Sequence, residues 1–262
     1  MTLIIGVRCS DGIVMGADGA ATLGTPFGQG TCLQPVKKLQ IIADKKFIIG
    51  ISGPVGVGQR IAGKIGELWD QGKLKGQSWQ AMQTMRTGLA EILMPEINYA
   101  AQTSKLIGAA AQQAALSQTV LSGPIDKALR LYSFAYTGDP EELVSIPFVA
   151  IGSGQHLADP FLAFLRTVFW KDREPNMADG IQATFWSLQH AIRRNTGGVA
   201  DPKQIMKLYK DDRGNVVIHE LEPAELEEAE QAVDAAEEHL SQFDFRKQAA
   251  GEPPPIAPPA GE

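Results

Sequence analysis

The stretch TLIIGVRC (Thr2–Cys9) is followed, after Ser10–Gly12, by the stretch IVMGAD (Ile13–Asp18). Both stretches are rich in the β-branched and apolar residues that favour strands, and the polar, glycine-containing link between them is typical of a hairpin turn. The chain is therefore predicted to open with a β-hairpin. The same pattern predicts a second hairpin from LQII (Leu39–Ile42) and FIIGIS (Phe47–Ser52).

The loop length of the first hairpin decides where Asp18 lies relative to Thr2. A two-residue loop at Asp11-Gly12 would place Thr2 and Asp18 on opposite faces. A three-residue loop (Ser10–Gly12), with glycine in the left-handed conformation, is a favoured hairpin geometry. It would put Asp18 diagonal to Thr2, roughly 7 to 8 Å away. A lysine of the pair Lys37-Lys38 could bridge such a gap.

The rest of the chain predicts helices and strands in blocks. Helices are predicted at 57–70, from an N-cap at Ser78 to a kink or end at Pro95, at 100–117, 160–170, 179–194 and 223–243. Further strands are predicted at 119–122, 130–136, 148–152, 204–209 and 215–221. Blocks of this kind indicate a layered α+β fold and not alternating βαβ units. The Gly/Thr-rich stretch from Gly19 to Gln34 is predicted to be a long connection with a functional role.

Composition and charge exclude several classes of protein. The 262 residues carry a formal charge of −6, and nine acidic residues lie between Glu220 and Leu240. The remaining 21 acidic residues against 24 basic ones leave the body at +3. A nucleic-acid binder is disfavoured because neutralising phosphates needs clustered Lys and Arg. No apolar run is long enough to span a membrane, and the N-terminus lacks a signal-peptide pattern. We therefore expect a cytoplasmic protein.

Neither a disulfide framework nor a metal site is expected from this sequence. The two cysteines, Cys9 and Cys32, are too few for either, and the four histidines are far apart. The glycines between Gly53 and Gly58 do not have dinucleotide-loop spacing. We therefore predict neither a metal nor a cofactor.

Removal of Met1 would make Thr2 the N-terminal residue. The threonine hydroxyl would then lie beside its own α-amine, whose pKa of about 7.7 to 8.0 leaves a useful neutral fraction near pH 7. Such an amine can take the hydroxyl proton during nucleophilic attack. A threonine at position two does not by itself indicate a nucleophile, so the hypothesis depends on the residues around it.

The combination of motifs resembles the proteasome β-subunits and the HslV-type bacterial peptidases, which are N-terminal-nucleophile hydrolases. The motifs are MTLIIGVRCSDGIVMGADGAATLG (1–24), PVKKL (35–39), FIIGISG (47–53), IGSGQ (151–155) and TGG (196–198). Within the family, the pattern is most similar to bacterial proteasome homologues. The resemblance implies a four-layer αββα sandwich over residues 1–222. An acidic helix (223–248) and a disordered Pro-rich tail (249–262) lie outside it.

The resemblance also implies a catalytic set. Thr2 matches the nucleophile. Lys38 matches the lysine whose positive charge stabilises charge at the threonine hydroxyl, and Asp18 matches the acid that holds this lysine in place. Gly53 matches the glycine whose N–H faces the oxyanion at a helix N-terminus. Ser153 matches the serine near the terminal amine.

Three departures from the family pattern concern the surroundings of this set. The family has an acid shortly before its late Gly-Gly, where AIRRNTGG places Arg193 or a neighbour. Ala20 stands where arginine is usual, and the stretch between Asp18 and Lys38 is longer than usual. Ala21, Val36 and Ile51 match the positions of the first substrate pocket, which would favour small or apolar substrate residues.

The function implied by the resemblance is that of a threonine-type endopeptidase. It would act in a homo-oligomeric assembly of two stacked rings that encloses peptide or unfolded-protein substrates, with an ATPase or another activator as a further partner. One alternative is a catalytically silent or weakly active ring that acts as a scaffold, and another is an amidase for a non-protein substrate. The acidic helix is interpreted first as a cover for its own domain, with a docking surface as the alternative.

Overall fold

The computed structural model describes residues 2–24, 30–108, 116–171, 173–194 and 198–243, without the side chains of 22–24, 30–33 and 107. Among these residues, the strands form two five-stranded antiparallel sheets and one two-stranded ribbon. The first sheet has the order β10-β1-β2-β11-β12. Its strands are β1 (Ile4–Cys9), β2 (Gly12–Ala17), β10 (Phe148–Ile151), β11 (Gln204–Lys210) and β12 (Val216–Glu220).

The second sheet runs in chain order from β5 to β9. Its strands are β5 (Leu39–Ile42), β6 (Phe47–Ser52), β7 (Gln118–Ile125), β8 (Ala128–Phe134) and β9 (Pro140–Glu142). The ribbon is formed by β3 (Ala20–Gly24) and β4 (Gly30–Pro35). Except for Pro35, the ribbon lies within the stretch from Gly19 to Gln34 that was predicted as a long connection, and its two strands were not predicted. Residues 25–29 lie outside the description.

Helices cover the outer face of each sheet. They are α1 (Val55–Asp70), α2 (Ser78–Ile107), α3 (Gln155–Leu165), α4 (Met177–Arg194) and α5 (Pro223–Ser241), with a π-helical turn at Arg166–Trp170 after α3. The apolar faces of α1 and α2 pack on the second sheet, and α3 and α4 pack on the first. A third cluster, which includes Ile4, Met15, Ile48 and Leu131, fills the space between the sheets. The four layers confirm the αββα sandwich.

The first hairpin has a register that neither predicted loop would give. Cys9 pairs with Gly12 and Ile4 with Ala17, so the turn is Ser10-Asp11. Gly12 is the first residue of β2, and close packing explains why this position has no side chain. A Cβ there would lie 2.3 Å from the Met177 Cε and 2.5 Å from the Leu208 carbonyl oxygen. The close approach of neighbouring elements, and not the turn, accounts for this glycine.

Helix α2 differs from its prediction at two points. Gln77, and not Ser78, is the N-cap, in a reciprocal capping arrangement with Gln80. The Ser78 hydroxyl instead lies 2.8 Å from the Tyr132 hydroxyl. The helix also continues through Pro95 to Ile107, so the predicted alternative of an end at this residue was wrong. Buried Leu93 and Ala100 on either side of the proline hold both halves of the helix in place.

Helix α5 belongs to the helical layer that covers the first sheet. Ala229 and Val233 are buried in the same core as α4, and the Gln182 amide donates to the Ala229 carbonyl at 3.2 Å. The predicted tail at 249–262 lies outside the described residues, so its disorder stays a prediction. Within the described part of the chain, no helix combines the length and apolar character needed to cross a membrane.

Candidate active site

Thr2 lies two residues before β1, and its backbone is held by the loop that follows β10. Its nitrogen donates to the Ser153 hydroxyl at 3.1 Å. Its carbonyl accepts from the Ser153 hydroxyl at 3.3 Å and from the Gly154 N–H at 3.2 Å. Ser153 therefore contacts both ends of the Thr2 backbone.

The glycines beside Ser153 let this loop approach Thr2. Gly152 has φ +93°, and a Cβ there would lie 2.2 Å from the Thr2 carbonyl oxygen. A Cβ on Gly154 would lie 2.9 Å from the Leu3 Cβ. The sequence IGSGQ thus combines one polar side chain with two residues that leave room for it.

Asp18 follows β2 and is fully buried. The Asp18 N–H donates to the Leu3 carbonyl at 3.1 Å, so hairpin pairing continues to this residue. Its carboxylate accepts from the Leu3 N–H at 2.8 Å and the Ala20 N–H at 3.3 Å. The Ala200 N–H donates to it at 3.4 Å. Backbone amides from three segments therefore hold this carboxylate.

Lys38 lies between β4 and β5 and reaches Asp18 from the second sheet. Its Nζ donates to the Asp18 Oδ1 at 2.7 Å, and its side chain is only 9% exposed. Burial lowers the pKa of Lys38 from its ordinary value, and the charge and hydrogen bond of Asp18 oppose that shift. The pair places a cation at the end of the first hairpin.

Gly53 connects β6 to α1. Its φ of +145° is unusual for residues with a side chain. A Cβ there would lie 2.4 Å from the Ser117 Oγ and 2.7 Å from the Leu116 carbonyl oxygen. Helix α1 begins two residues later without a side-chain cap, so its partial positive charge lies next to this peptide.

A cavity of about 380 Å³ joins these features. Thr2, Lys38 and Gly53 all line it, while Asp18 and Ser153 support Lys38 and Thr2 from behind. Ala21, Val36 and Ile51, the residues expected to form a first pocket, also line it. A larger cavity of about 500 Å³ shares Val36 and Lys37 but none of the five candidate residues. The smaller cavity is therefore the candidate active site.

Arg193 lies elsewhere. It is near the end of α4, and its guanidinium donates to the Glu237 carboxylate on α5 at 3.0 and 3.3 Å. Among the described residues, no acidic side chain hydrogen-bonds to Ser153. Arg193 therefore attaches α5 to α4, whereas its neighbours at 195–197 lie outside the described residues.

The sequence did not single out several residues that hold this site. Ala200 contributes a backbone N–H to Asp18, and Gln204 accepts from the backbone of Lys38 and Leu39. Both contacts join segments that are far apart in the chain. Neither an alanine nor a glutamine is a residue type that indicates such a contact. Within the described residues, no group of His, Cys, Asp and Glu is arranged to hold a metal ion.

The four-layer sandwich, with a threonine at the head of its first strand and a lysine–aspartate pair beside it, defines the fold class of the N-terminal-nucleophile hydrolases. The model of the proteasome subunit family matches residues 2–199. The chain belongs to the proteasome subunit family.

Among solved structures, the chain is similar to Anbu proteins. Anbu, described as an ancestral beta-subunit, from Yersinia bercovieri has 15% identity and a TM-score of 0.63, over 93% of this chain and 98% of that one. A Gly-1 mutant of Anbu from Hyphomicrobium sp. strain MC1 has 17% identity, a TM-score of 0.63 and the same coverage. At these identities the likeness shows the fold. No curated protein matches the chain.

Proposed function

We propose that the chain is a threonine-type peptidase whose nucleophile is Thr2 after removal of Met1. One observation carries the proposal: Thr2, Lys38 and Gly53 line one cleft, and the Thr2 nitrogen lies 3.1 Å from the Ser153 hydroxyl. The same nitrogen becomes the free α-amine after processing. Membership of the proteasome subunit family supports this assignment.

The first half-reaction uses the groups in the cleft. The α-amine takes the proton of the Thr2 hydroxyl, whose oxygen attacks the carbonyl carbon of the scissile amide. The negative charge then forms on the former carbonyl oxygen, which faces the Gly53 N–H and the start of α1. Collapse expels the amine product, which takes the proton, and leaves an ester on Thr2. Water then hydrolyses the ester and regenerates the hydroxyl.

Lys38 contributes charge and not a covalent bond. Its ammonium stabilises negative charge on the hydroxyl oxygen and disfavours protonation of the neighbouring α-amine. Asp18 keeps the ammonium in place with a 2.7 Å hydrogen bond from a fully buried position. Ser153 orients the amine or a water molecule. No group outside the chain is required for these steps.

The proposal extends to the assembly. The chain would form a homo-oligomer of two stacked rings that encloses peptide or unfolded-protein substrates in the cytoplasm, and it would work with an ATPase or another activator. Family membership supports this arrangement. The small and apolar lining of Ala21, Val36 and Ile51 favours small or apolar substrate residues before the cleaved bond.

The test is the intact mass of the purified protein before and after an epoxyketone probe, which reacts with both a threonine hydroxyl and its free amine. We expect loss of Met1 and one covalent adduct. Thr2→Ala should abolish the adduct, whereas Thr87→Ala, on the exposed face of α2, should retain it. A chain that keeps Met1, or a processed chain that takes no adduct, would exclude the peptidase proposal for that form.

A second candidate is a catalytically silent ring that encloses or binds partners. Among the described residues, no acidic side chain hydrogen-bonds to Ser153, and this favours the silent ring, because the family pattern places an acid near that serine. A processed chain without an adduct would support this candidate.

A further inference from the structure

Gln204 opens β11 beside the candidate site. It pairs in register with Ala17, the residue before Asp18, and is only 6% exposed. A buried glutamine must satisfy two donors and two acceptor sites, so its partners show what it holds. Gln204 belongs to the first sheet, and its partners include Lys38 and Leu39, where the chain enters the second sheet.

The amide of Gln204 is fully engaged in one orientation. Its Oε1 accepts from the Lys38 N–H at 3.0 Å and from the Leu39 N–H at 2.9 Å. Its Nε2 donates to the Leu39 carbonyl at 3.3 Å and to the Glu220 carboxylate at 3.4 Å. A flipped amide would direct its own donors at two backbone donors, so the network fixes the orientation.

At the point where the chain enters β5, these hydrogen bonds satisfy backbone groups of Lys38 and Leu39 in the way that a neighbouring strand would. Residues 36–38 lie outside the strands. Val36 is anchored by its N–H to the Gly19 carbonyl at 2.8 Å, and Lys38 and Leu39 by the Gln204 amide. The side chain of Gln204 thereby joins the second sheet to the first at the residue that must reach Asp18.

We propose that Gln204 is a positioning residue that sets the location of Lys38 in the site, with Glu220 orienting its amide. This inference rests on the proposed function for its catalytic meaning. Glu220 also accepts from the Lys37 Nζ at 2.8 Å, which turns that neighbouring ammonium away from Asp18. Without the Gln204 amide, the backbone N–H of Lys38 loses this hydrogen bond to the first sheet.

Three variants separate positioning from general stability. Gln204→Met keeps a side chain of similar length but removes its hydrogen bonds. The double variant Gln204→Glu with Glu220→Gln keeps an acceptor for both backbone N–H groups and avoids placing two carboxylates against each other. Gln189→Met is the matched control, because Gln189 is a glutamine on α4 that is only 3% exposed and whose amide atoms have no partner among the described residues.

Two readouts are measured on the full-length protein. The first is the pKa of the Lys38 ammonium, followed by NMR with labelled lysine and assigned from the signal lost in Lys38→Arg. The second is the saturation kinetics of the epoxyketone probe, which separate the maximal rate of adduct formation from the probe concentration that gives half that rate. If Gln204 only stabilised the fold, its substitution would selectively change neither the pKa of Lys38 nor the maximal rate of adduct formation.

In Gln204→Met, the maximal rate should fall on the order of tenfold to a hundredfold, because small displacements of catalytic groups have effects of that size. The half-maximal probe concentration should stay within a few-fold of wild type. The pKa of Lys38 should rise towards its ordinary value as the ammonium leaves its buried position. The double variant Gln204→Glu with Glu220→Gln should keep the rate within a few-fold of wild type, and it carries the test if Gln204→Met does not fold.

Two results would overturn the inference: an unchanged Lys38 pKa and rate in Gln204→Met, or an equal loss in Gln189→Met. A loss in the double variant Gln204→Glu with Glu220→Gln as large as that in Gln204→Met would also overturn it. If the wild-type protein takes no adduct, the peptidase proposal fails by itself. The Lys38 titration then still decides whether Gln204 positions that side chain.

Discussion

Asp18 shows how the site is held at the scale of a residue. A buried carboxylate is costly unless its charge is paired and its oxygens accept hydrogen bonds. Asp18 meets both conditions, with backbone donors at Leu3, Ala20 and Ala200 and the ammonium of Lys38. The carboxylate therefore serves the fold and the candidate chemistry together.

Asp18→Asn tests this double role. The substitution leaves the buried Lys38 ammonium without its counter-charge, and breaking one side of a buried pair costs about 3–5 kcal/mol. Urea unfolding should show a loss of that size. The control is Glu96→Gln, whose partner Arg60 has a side chain 53% exposed; an exposed pair should change the free energy of unfolding by less than about 1 kcal/mol. Equal losses in the two variants would contradict the prediction.

Gly53→Ala tests the backbone at the proposed oxyanion position. The alanine would require an unfavourable φ, and its Cβ would meet backbone atoms of Leu116 and Ser117 at 2.7 and 2.9 Å. We expect a cost of about 1–3 kcal/mol in the free energy of unfolding and loss of reaction with the epoxyketone probe.

Gly56→Ala is the matched control for Gly53→Ala, because nothing lies within 4 Å of a Cβ at that position in α1. It should raise the free energy of unfolding by roughly 0.5–1 kcal/mol and leave the probe reaction unchanged. A Gly53→Ala variant that reacts as fast as wild type would exclude the proposed oxyanion role of this peptide.

The motif residues could be found from the sequence, but their supports could not. Thr2, Lys38 and Gly53 belong to recognisable local patterns, and they line one cleft. Gln204 acts through an amide that contacts the backbone of a segment 165 residues away, which leaves no local pattern. The contact of Arg193 with Glu237 likewise depends on how two helices pack.

At the scale of an element, Glu225 attaches helix α5 to the first sheet. Its side chain caps the helix through the Glu222 N–H at 2.9 Å. It also lies 2.6 Å from the His219 Nε2 and accepts from the Lys207 Nζ at 3.0 Å. These contacts, of which the hydrogen bond with His219 has the largest effect, lower the pKa of Glu225 to about 2.

The pH dependence of stability should reflect this group. A carboxylate with a depressed pKa in the folded state stabilises the protein above its unfolded pKa of 4.5, and the effect is lost as the pH falls towards about 2. The Tm of wild type should therefore fall over this interval, and that of Glu225→Gln should fall less. Glu228→Gln, exposed on the same helix, should behave as wild type. Parallel Tm curves for all three proteins would contradict the prediction.

The order of elements could largely be predicted, whereas their junctions could not. Strand and helix patterns located both hairpins and the helical layers. The turn Ser10-Asp11 was missed because Gly12 is selected by contacts with Met177 and Leu208, which the sequence does not reveal. Helix α2 continues through Pro95 because burial on both sides outweighs the local effect of proline. The β3–β4 ribbon lies in a Gly/Thr-rich stretch with little apolar alternation.

At the scale of the whole molecule, the core between the sheets should make folding cooperative. Leu131 is fully buried there and fills the space above Gly6, where a Cβ would lie 2.9 Å from its Cδ1. Leu131→Ala should cost about 2–5 kcal/mol. Urea unfolding followed by circular dichroism and by tryptophan fluorescence should give coincident transitions. Separate transitions would mean that the two sheets unfold independently.

Leu240→Ala is the control for Leu131→Ala, because Leu240 is 45% exposed at the end of α5. It should change the free energy of unfolding by less than about 0.5 kcal/mol. A comparable loss in the two variants would mean that the inter-sheet core is not the main source of cooperativity.

The order in which the site residues occur along the chain has a consequence for protein synthesis. Thr2, Asp18, Lys38 and Gly53 are made first, but the contacts that hold them come from Ser153, Ala200 and Gln204. A ribosome must therefore have added more than three quarters of the chain before the cleft can be completed. A nascent chain would carry Thr2, the proposed nucleophile, for most of its synthesis without the contacts that complete the candidate site. Translation itself would thus delay activity until the subunit is ready to fold.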